Sequence, residues 1–114
     1  EQGITHVVRG ADLIDSTPRQ RHLQRLLGYA HPEYLHLPAA VNAAGEKLSK
    51  QTRARRIDPR RPQAALCDAL GFLGQRPPSG LAEAELDEIW RWARANWRRE
   101  RLPRCRSAPA PAGY

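Results

Sequence analysis

The sequence predicts an α-rich α/β fold, and three observations predict it. A short β-branched run, Ile4-Thr5-His6-Val7-Val8, reads as a strand. Residues 35–41 form a second extended apolar segment that runs into a Gly-containing turn. Three other segments repeat apolar residues at helical spacing, with Pro or acidic residues near their starts and Gly after the first two. The expected architecture is one or two strands, a hairpin-like segment and three main helices.

Size and charge bound the rest. A chain of 114 residues is one domain at most, divided here into residues 1–61, a helical segment 62–102 and a tail 103–114. Nineteen Lys+Arg against twelve Asp+Glu give a formal charge of +7 and a pI near 10.4. Such a surplus points to a polyanionic partner, nucleic acid or nucleotide phosphate, and says nothing about fold. Cys67 and Cys105 lie far apart with no C-x-x-C and no histidine at zinc spacing, which favours a reduced, cytoplasmic protein with no metal site. No apolar run approaches the length of a membrane span, and no signal peptide is visible. The chain has no methionine and opens immediately before a strand-like run, so it reads as a piece of something longer.

The first strand is expected to be buried on both faces and to end at Arg9-Gly10. Open α/β sheets bind ligands beyond the carboxyl ends of their strands. Arg9 is therefore either a ligand group or an ordinary surface arginine, and Gly10 either admits a ligand or merely ends the strand. His6 reads as a strand histidine. Thr17 then serves as N-cap, Pro18 as first helical residue and Gln20 as the far side of a capping box. Leu23, Leu26 and Leu27 form the apolar stripe of this helix, and Gly28 stops it. Asp12 and Asp15, near a helix N-terminus, need no catalytic role. Residues 31–34 read as a turn. Leu35-His36-Leu37-Pro38 begins the next extended segment, and Gly45 suits a left-handed position in the turn after it.

That turn delivers Gly45-Glu46-Lys47-Leu48-Ser49-Lys50-Gln51. Lysine ammonium groups are compact charges with rotating donors, suited to a polyphosphate whose charge shifts during reaction. Lys47 and Lys50 could grip it while the Ser49 hydroxyl adds a directed bond; taken alone, the same residues also describe a solvated loop. Arg53, Arg55, Arg56, Arg60 and Arg61 follow in what reads as a flexible basic loop. From Pro62 a second helix carries Leu66, Ala69, Leu70 and Leu73 to Gly74, with Cys67 and Phe72 as core. Residues 75–80 read as a linker. The third helix places Leu86, Ile89, Trp90, Ala93 and Trp97 on one face, read as core, with base stacking the minority alternative. The Pro/Ala/Arg-rich tail from Pro103 is expected to be disordered.

Four of these stretches fall into one order: residues 4–12, 15–20, 35–38 and 47–51. Together they resemble the C-terminal part of the catalytic domain in the class I glutamyl-tRNA synthetase family, which is Rossmann-type, from about Gly3 to Trp97. Within that family the chain is most similar to the short paralogues that glutamylate queuosine in tRNA(Asp). The resemblance implies an ATP-dependent ligase that forms glutamyl-adenylate and then transfers glutamate to the modified base. Lys47-Leu48-Ser49-Lys50 matches the KMSKS motif, which implies that Lys50 contacts ATP phosphates and that Lys47 and Ser49 act with it as catalytic residues. Arg9 matches the arginine that binds the substrate carboxylate, and Asp12 falls where an acidic residue lies near the adenosine ribose. Magnesium is expected with ATP. The HIGH-type motif, the other glutamate contacts and the cysteine-based zinc site of the family have no counterpart here, so the 114 residues alone are expected not to activate glutamate. A non-catalytic, basic RNA-binding remnant of the fold is the alternative. Either way, the isolated chain is expected to be marginally stable or to associate.

Overall fold

The structure, a computed structural model, describes residues 2–49, 54 and 56–114. It opens with β1 (His6–Gly10), which passes through a 3-10 segment (Ala11–Ser16) and α1 (Thr17–Leu26) to β2 (Glu33–Leu37). The two strands are parallel, with Val7 opposite Tyr34 and Arg9 opposite His36. A parallel pair requires such a crossover, because the chain must return to its starting edge before the second strand is laid down. The strand begins two residues later than the β-branched run suggests and includes Arg9 and Gly10. It is not buried on both faces: Val8 is 61% exposed, since β1 pairs with β2 alone in a two-stranded sheet. Glu33 and Tyr34, expected in a turn, belong to β2.

Pro38 has no N–H to give to a ladder and separates β2 from β3 (Ala39–Val41). The backbone then folds back, with Asn42 N–H donating to Glu46 O at 2.9 Å and an isolated bridge between Val41 and Lys47. Gly45 adopts φ +79°, the left-handed position its turn requires. The tail does not follow the expectation of disorder. Ser107–Pro109 forms β4, parallel to β3, and Arg106 makes a bidentate pair with Asp15 at 2.8 and 2.9 Å.

All three expected helices are present. α1 ends where Gly28 turns left-handed at φ +71°, letting Tyr29 N–H reach Gln24 O. The expected capping box is not formed, for no side chain caps α1. α2 (Pro62–Phe72) stops before Gly74, which is left-handed at φ +74°. α3 spans Leu86–Asn96. The main hydrophobic cluster lies here: Leu70 of α2, Leu81, and Ile89 and Ala93 of α3, with Leu66, Cys67, Ala84 and Trp92 against them. Trp90 and Trp97, expected in that core, are 49% and 39% exposed. The tryptophan that reaches the cluster is Trp92, on a different part of the helix circumference. Residues 75–80 are not merely a linker. Gln75 is 1% exposed, and its amide bonds Leu73 O, Arg98 O and Arg98 N–H.

Candidate active site

Side chains at alternate positions of a strand share one face. In the β1–β2 register, Arg9, His36 and Tyr34 therefore emerge on the same side of the sheet. The Tyr34 and His36 rings stack with centroids 6.0 Å apart, and the Arg9 guanidinium lies 4.8 Å from the Tyr34 ring centre. α1 faces this side with Thr17, Gln20 and Gln24, spaced three and four residues apart along one helix stripe. Arg9 Nη1 donates to Gln20 Oε1 at 2.7 Å, Nη2 to Thr17 Oγ1 at 2.8 Å, and Nε to His36 Nε2 at 3.2 Å. Gln24 donates to the Tyr34 hydroxyl at 3.2 Å.

These contacts explain the missing capping box, because Thr17 and Gln20 are turned towards Arg9. They also explain why Leu23, Leu26 and Leu27 are 57–67% exposed. The stripe of α1 that meets the sheet is polar, and the leucines lie away from it. Every acceptor around Arg9 is neutral, and no carboxylate pairs with it among the described residues. A part-buried guanidinium held this way has no opposing charge among its hydrogen-bond partners. Thr17, Gln20, Tyr34 and His36 were not legible as site residues. The signal that could have found them is the parallel register joined to the spacing of Thr17, Gln20 and Gln24.

Asp12 follows Arg9 in the 3-10 segment, and Lys47 reaches it from the loop after β3, Nζ to Oδ2 at 2.5 Å. The Lys47 hydrogen bond holds the Asp12 carboxyl below its ordinary value of 3.8; desolvation opposes it, and the Lys47 charge adds a lesser lowering. Asp12, matched to the ribose end of the ATP site, and Lys47 of the KMSKS-like motif are therefore brought together, the lysine reaching the segment that leaves Arg9. Ser49 lines a largely apolar groove of about 360 Å³ with Ala40, Leu48, Ala65, Phe72 and Tyr114. Its carbonyl accepts from Ala54 N–H at 3.1 Å. Lys50 and Gln51 lie outside the described residues, as do Arg53 and Arg55 of the expected basic loop.

A second cationic surface lies on the outer side of α1, where Arg21, His22, Arg25 and His31 line a groove with Thr17 and Pro18. On α3 and just beyond its end, the exposed Trp90 and Trp97 are interleaved with exposed Arg91, Arg94 and Arg98. Cys67 packs beside the helical core and Cys105 is exposed; both are free thiols. Burial, and then the neighbouring Asp68 charge, push the Cys67 thiol up from its ordinary value, away from reactivity. Among the described residues no three of His, Cys, Asp and Glu converge as a metal site. No described helix is long and apolar enough to cross a membrane.

Arg9 thus stands at the carboxyl end of a parallel strand with no carboxylate partner among the described residues, and the Asp12–Lys47 pair follows it. The family described as tRNA synthetases class I (E and Q), catalytic domain, matches residues 1–78, and the chain belongs to that family. It is similar to the glutamyl-Q tRNA(Asp) synthetase of Aromatoleum aromaticum, 54% identical over 112 residues, covering 98% of this chain and 36% of the relative. The protein of the same name from Pseudomonas aeruginosa is 50% identical over 108 residues, covering 95% of this chain and 37% of the relative. That of Dechloromonas aromatica is 54% identical over 103 residues, with 90% and 34% covered. The chain thus spans little more than a third of the length of these curated relatives.

Proposed function

We propose that this chain carries part of the site of an ATP-dependent ligase that activates glutamate and transfers it to queuosine of tRNA(Asp). The observation that carries the reading is Arg9: a part-buried guanidinium with neutral partners only, at the carboxyl end of β1. In this reading Arg9 binds a carboxylate of glutamate. Lys47, Ser49 and Lys50 hold the phosphates of ATP, to which magnesium is bound, and Asp12 lies towards the ribose. ATP supplies the α-phosphorus that the glutamate carboxylate attacks, with pyrophosphate as the leaving group. The chain's own residues fix the reacting groups and balance their charge, with no covalent enzyme intermediate. Because Lys47 is already paired with Asp12, phosphate must compete with that carboxylate for it. The pair is exposed on both sides, so the competition is an exchange of partners in water-like surroundings and costs little. The reaction and its soluble substrates place the protein in the cytoplasm.

The test is glutamate-dependent ATP–pyrophosphate exchange, measured on the chain alone and on the chain joined to the coding sequence that precedes it. The joined form is expected to exchange and to lose roughly a hundredfold or more in rate with Arg9→Ala or Lys50→Ala. Exchange by the 114 residues alone, or exchange indifferent to both substitutions, would overturn the reading.

The exposed Trp90 and Trp97 among arginines on α3 and just beyond its end favour a second reading, a basic RNA-binding module without catalysis. It predicts salt-sensitive RNA binding that weakens in Trp90→Ala, together with silent exchange in both forms of the protein.

A further inference from the structure

Three of the five guanidinium N–H groups of Arg9 are committed, one each to His36, Gln20 and Thr17. One N–H remains on each terminal nitrogen, the number that a carboxylate takes in a bidentate pair. His36 offers Nε2 to Arg9 Nε at 3.2 Å and so acts as an acceptor in this contact. Thr17 Oγ1 accepts from Nη2, donates to Leu13 O at 3.5 Å and lies 3.4 Å from His36 Nε2. Gln20 makes the shortest of the three bonds, from the first turn of α1.

A glutamate at position 20 would have the same reach and an acceptor oxygen in the same place. As a tether it would be stronger, because a carboxylate binds guanidinium by a charge-assisted bond. It would also cancel the charge of Arg9. The amide holds the guanidinium in position and leaves the charge unspent.

We propose that Gln20 is a specificity-determining residue: its neutral acceptor orients Arg9 without neutralising it, and so reserves the guanidinium for a ligand that brings a carboxylate. This rests on the reading of Arg9 as the group that meets the substrate carboxylate. Thr17 and His36 are positioning residues in the same cradle, acting on the other edge of the guanidinium.

The experiment is a titration with L-glutamate of the isotopically labelled joined form used for the exchange assay, followed by NMR at the Arg9 Nε–H resonance, which Arg9→Ala identifies by its loss. Gln20→Glu and Gln20→Met are compared with the unaltered joined form, and thermal melts are recorded for each. Gln20→Glu is expected to weaken glutamate binding roughly tenfold or more while the melting temperature holds or rises. Gln20→Met, which removes the tether and keeps the charge, is expected to weaken it less than Gln20→Glu. A residue that merely holds Arg9 in place predicts the reverse order. Glutamate binding by Gln20→Glu equal to that of the unaltered joined form, or a greater loss in Gln20→Met, would overturn the proposal. If glutamate leaves the Arg9 resonance of the unaltered joined form unmoved, the reading of Arg9 itself fails, and the role of Gln20 with it.

Discussion

At Gly10, a side chain would meet the Asp12 carboxylate inside contact distance. The backbone there, φ −66° and ψ 145°, is ordinary for any residue, so alanine would strain nothing except that carboxylate. Gly10→Ala is therefore expected to leave the melt almost unchanged and to turn Asp12 away from Lys47. The readout is the Asp12 titration. Its carboxyl, now held low by Lys47, should rise towards its ordinary value of 3.8. A group whose folded pKa is depressed stabilises above its unfolded value, and loses that contribution as pH falls through the folded one. The Asp12–Lys47 contact thus belongs to neutral and mildly acid solution. Gln75 poses the opposite case, a residue with no ligand role whose amide closes three backbone groups inside the helical half. Gln75→Leu would leave Arg98 N–H and the paired carbonyls without partners. It is expected to cost about 1–3 kcal/mol in a urea melt, the usual penalty for buried unpaired polar groups. Nothing in the local sequence marks Gln75, because burial of a single amide after a helix has no periodicity to betray it.

The helices were legible as elements because their signals are local: Pro18 and Pro62 at the starts, Gly28 and Gly74 beyond the ends. Which face of a helix is buried is not local. α1 turns Thr17, Gln20 and Gln24 to the sheet, against its leucine periodicity, because Arg9 and the Tyr34 hydroxyl offer hydrogen-bond partners there. The end of β1 at Arg9-Gly10 and the turn at Gly45 could be read from local residues, whereas the cradle depends on a parallel register that no short stretch encodes. β4 was hidden for the same reason. Its segment is Pro- and Ala-rich, and its stability comes from β3 and from Asp15, both distant in sequence. Arg106, first by its hydrogen bonds and then by its charge, holds the Asp15 carboxyl below 3.8, so the tether persists until the solution is more acid than an ordinary carboxylate tolerates. The β4 amide resonances are accordingly expected to stay fixed from pH 6 downwards and to move only below 3.8, as Asp15 takes its proton. Arg106→Gln should loosen β4 at neutral pH and abolish that acid step. A step that survives the substitution would assign it to another group.

The whole molecule is open for its length. A 114-residue globular domain has a radius of gyration of about 13 Å, and this chain has 16.6 Å, with extents of 50 × 35 × 25 Å. The excess is consistent with the placement of the core, which is concentrated between α2 and α3 while the site half rests on a two-stranded sheet and a polar helix stripe. Two-stranded sheets are marginal alone, and their unpaired edges invite other chains. Ile4, Val8, Leu23, Leu26 and Leu27 are all exposed in this half, more apolar surface than a small monomer usually presents. The charge of +7 opposes association at low salt and is screened at physiological ionic strength. The chain is therefore expected to sediment as larger species with rising concentration and salt, and to melt broadly. Replacing Leu23 and Leu26 together by Gln should suppress that association. Its effect on urea stability should stay within roughly 0.5 kcal/mol per site, since neither leucine is buried. A monodisperse monomer that melts sharply at every concentration would contradict this. It would mean that the hydrogen-bonded cradle around Arg9 stabilises the sheet half well enough to dispense with an apolar layer.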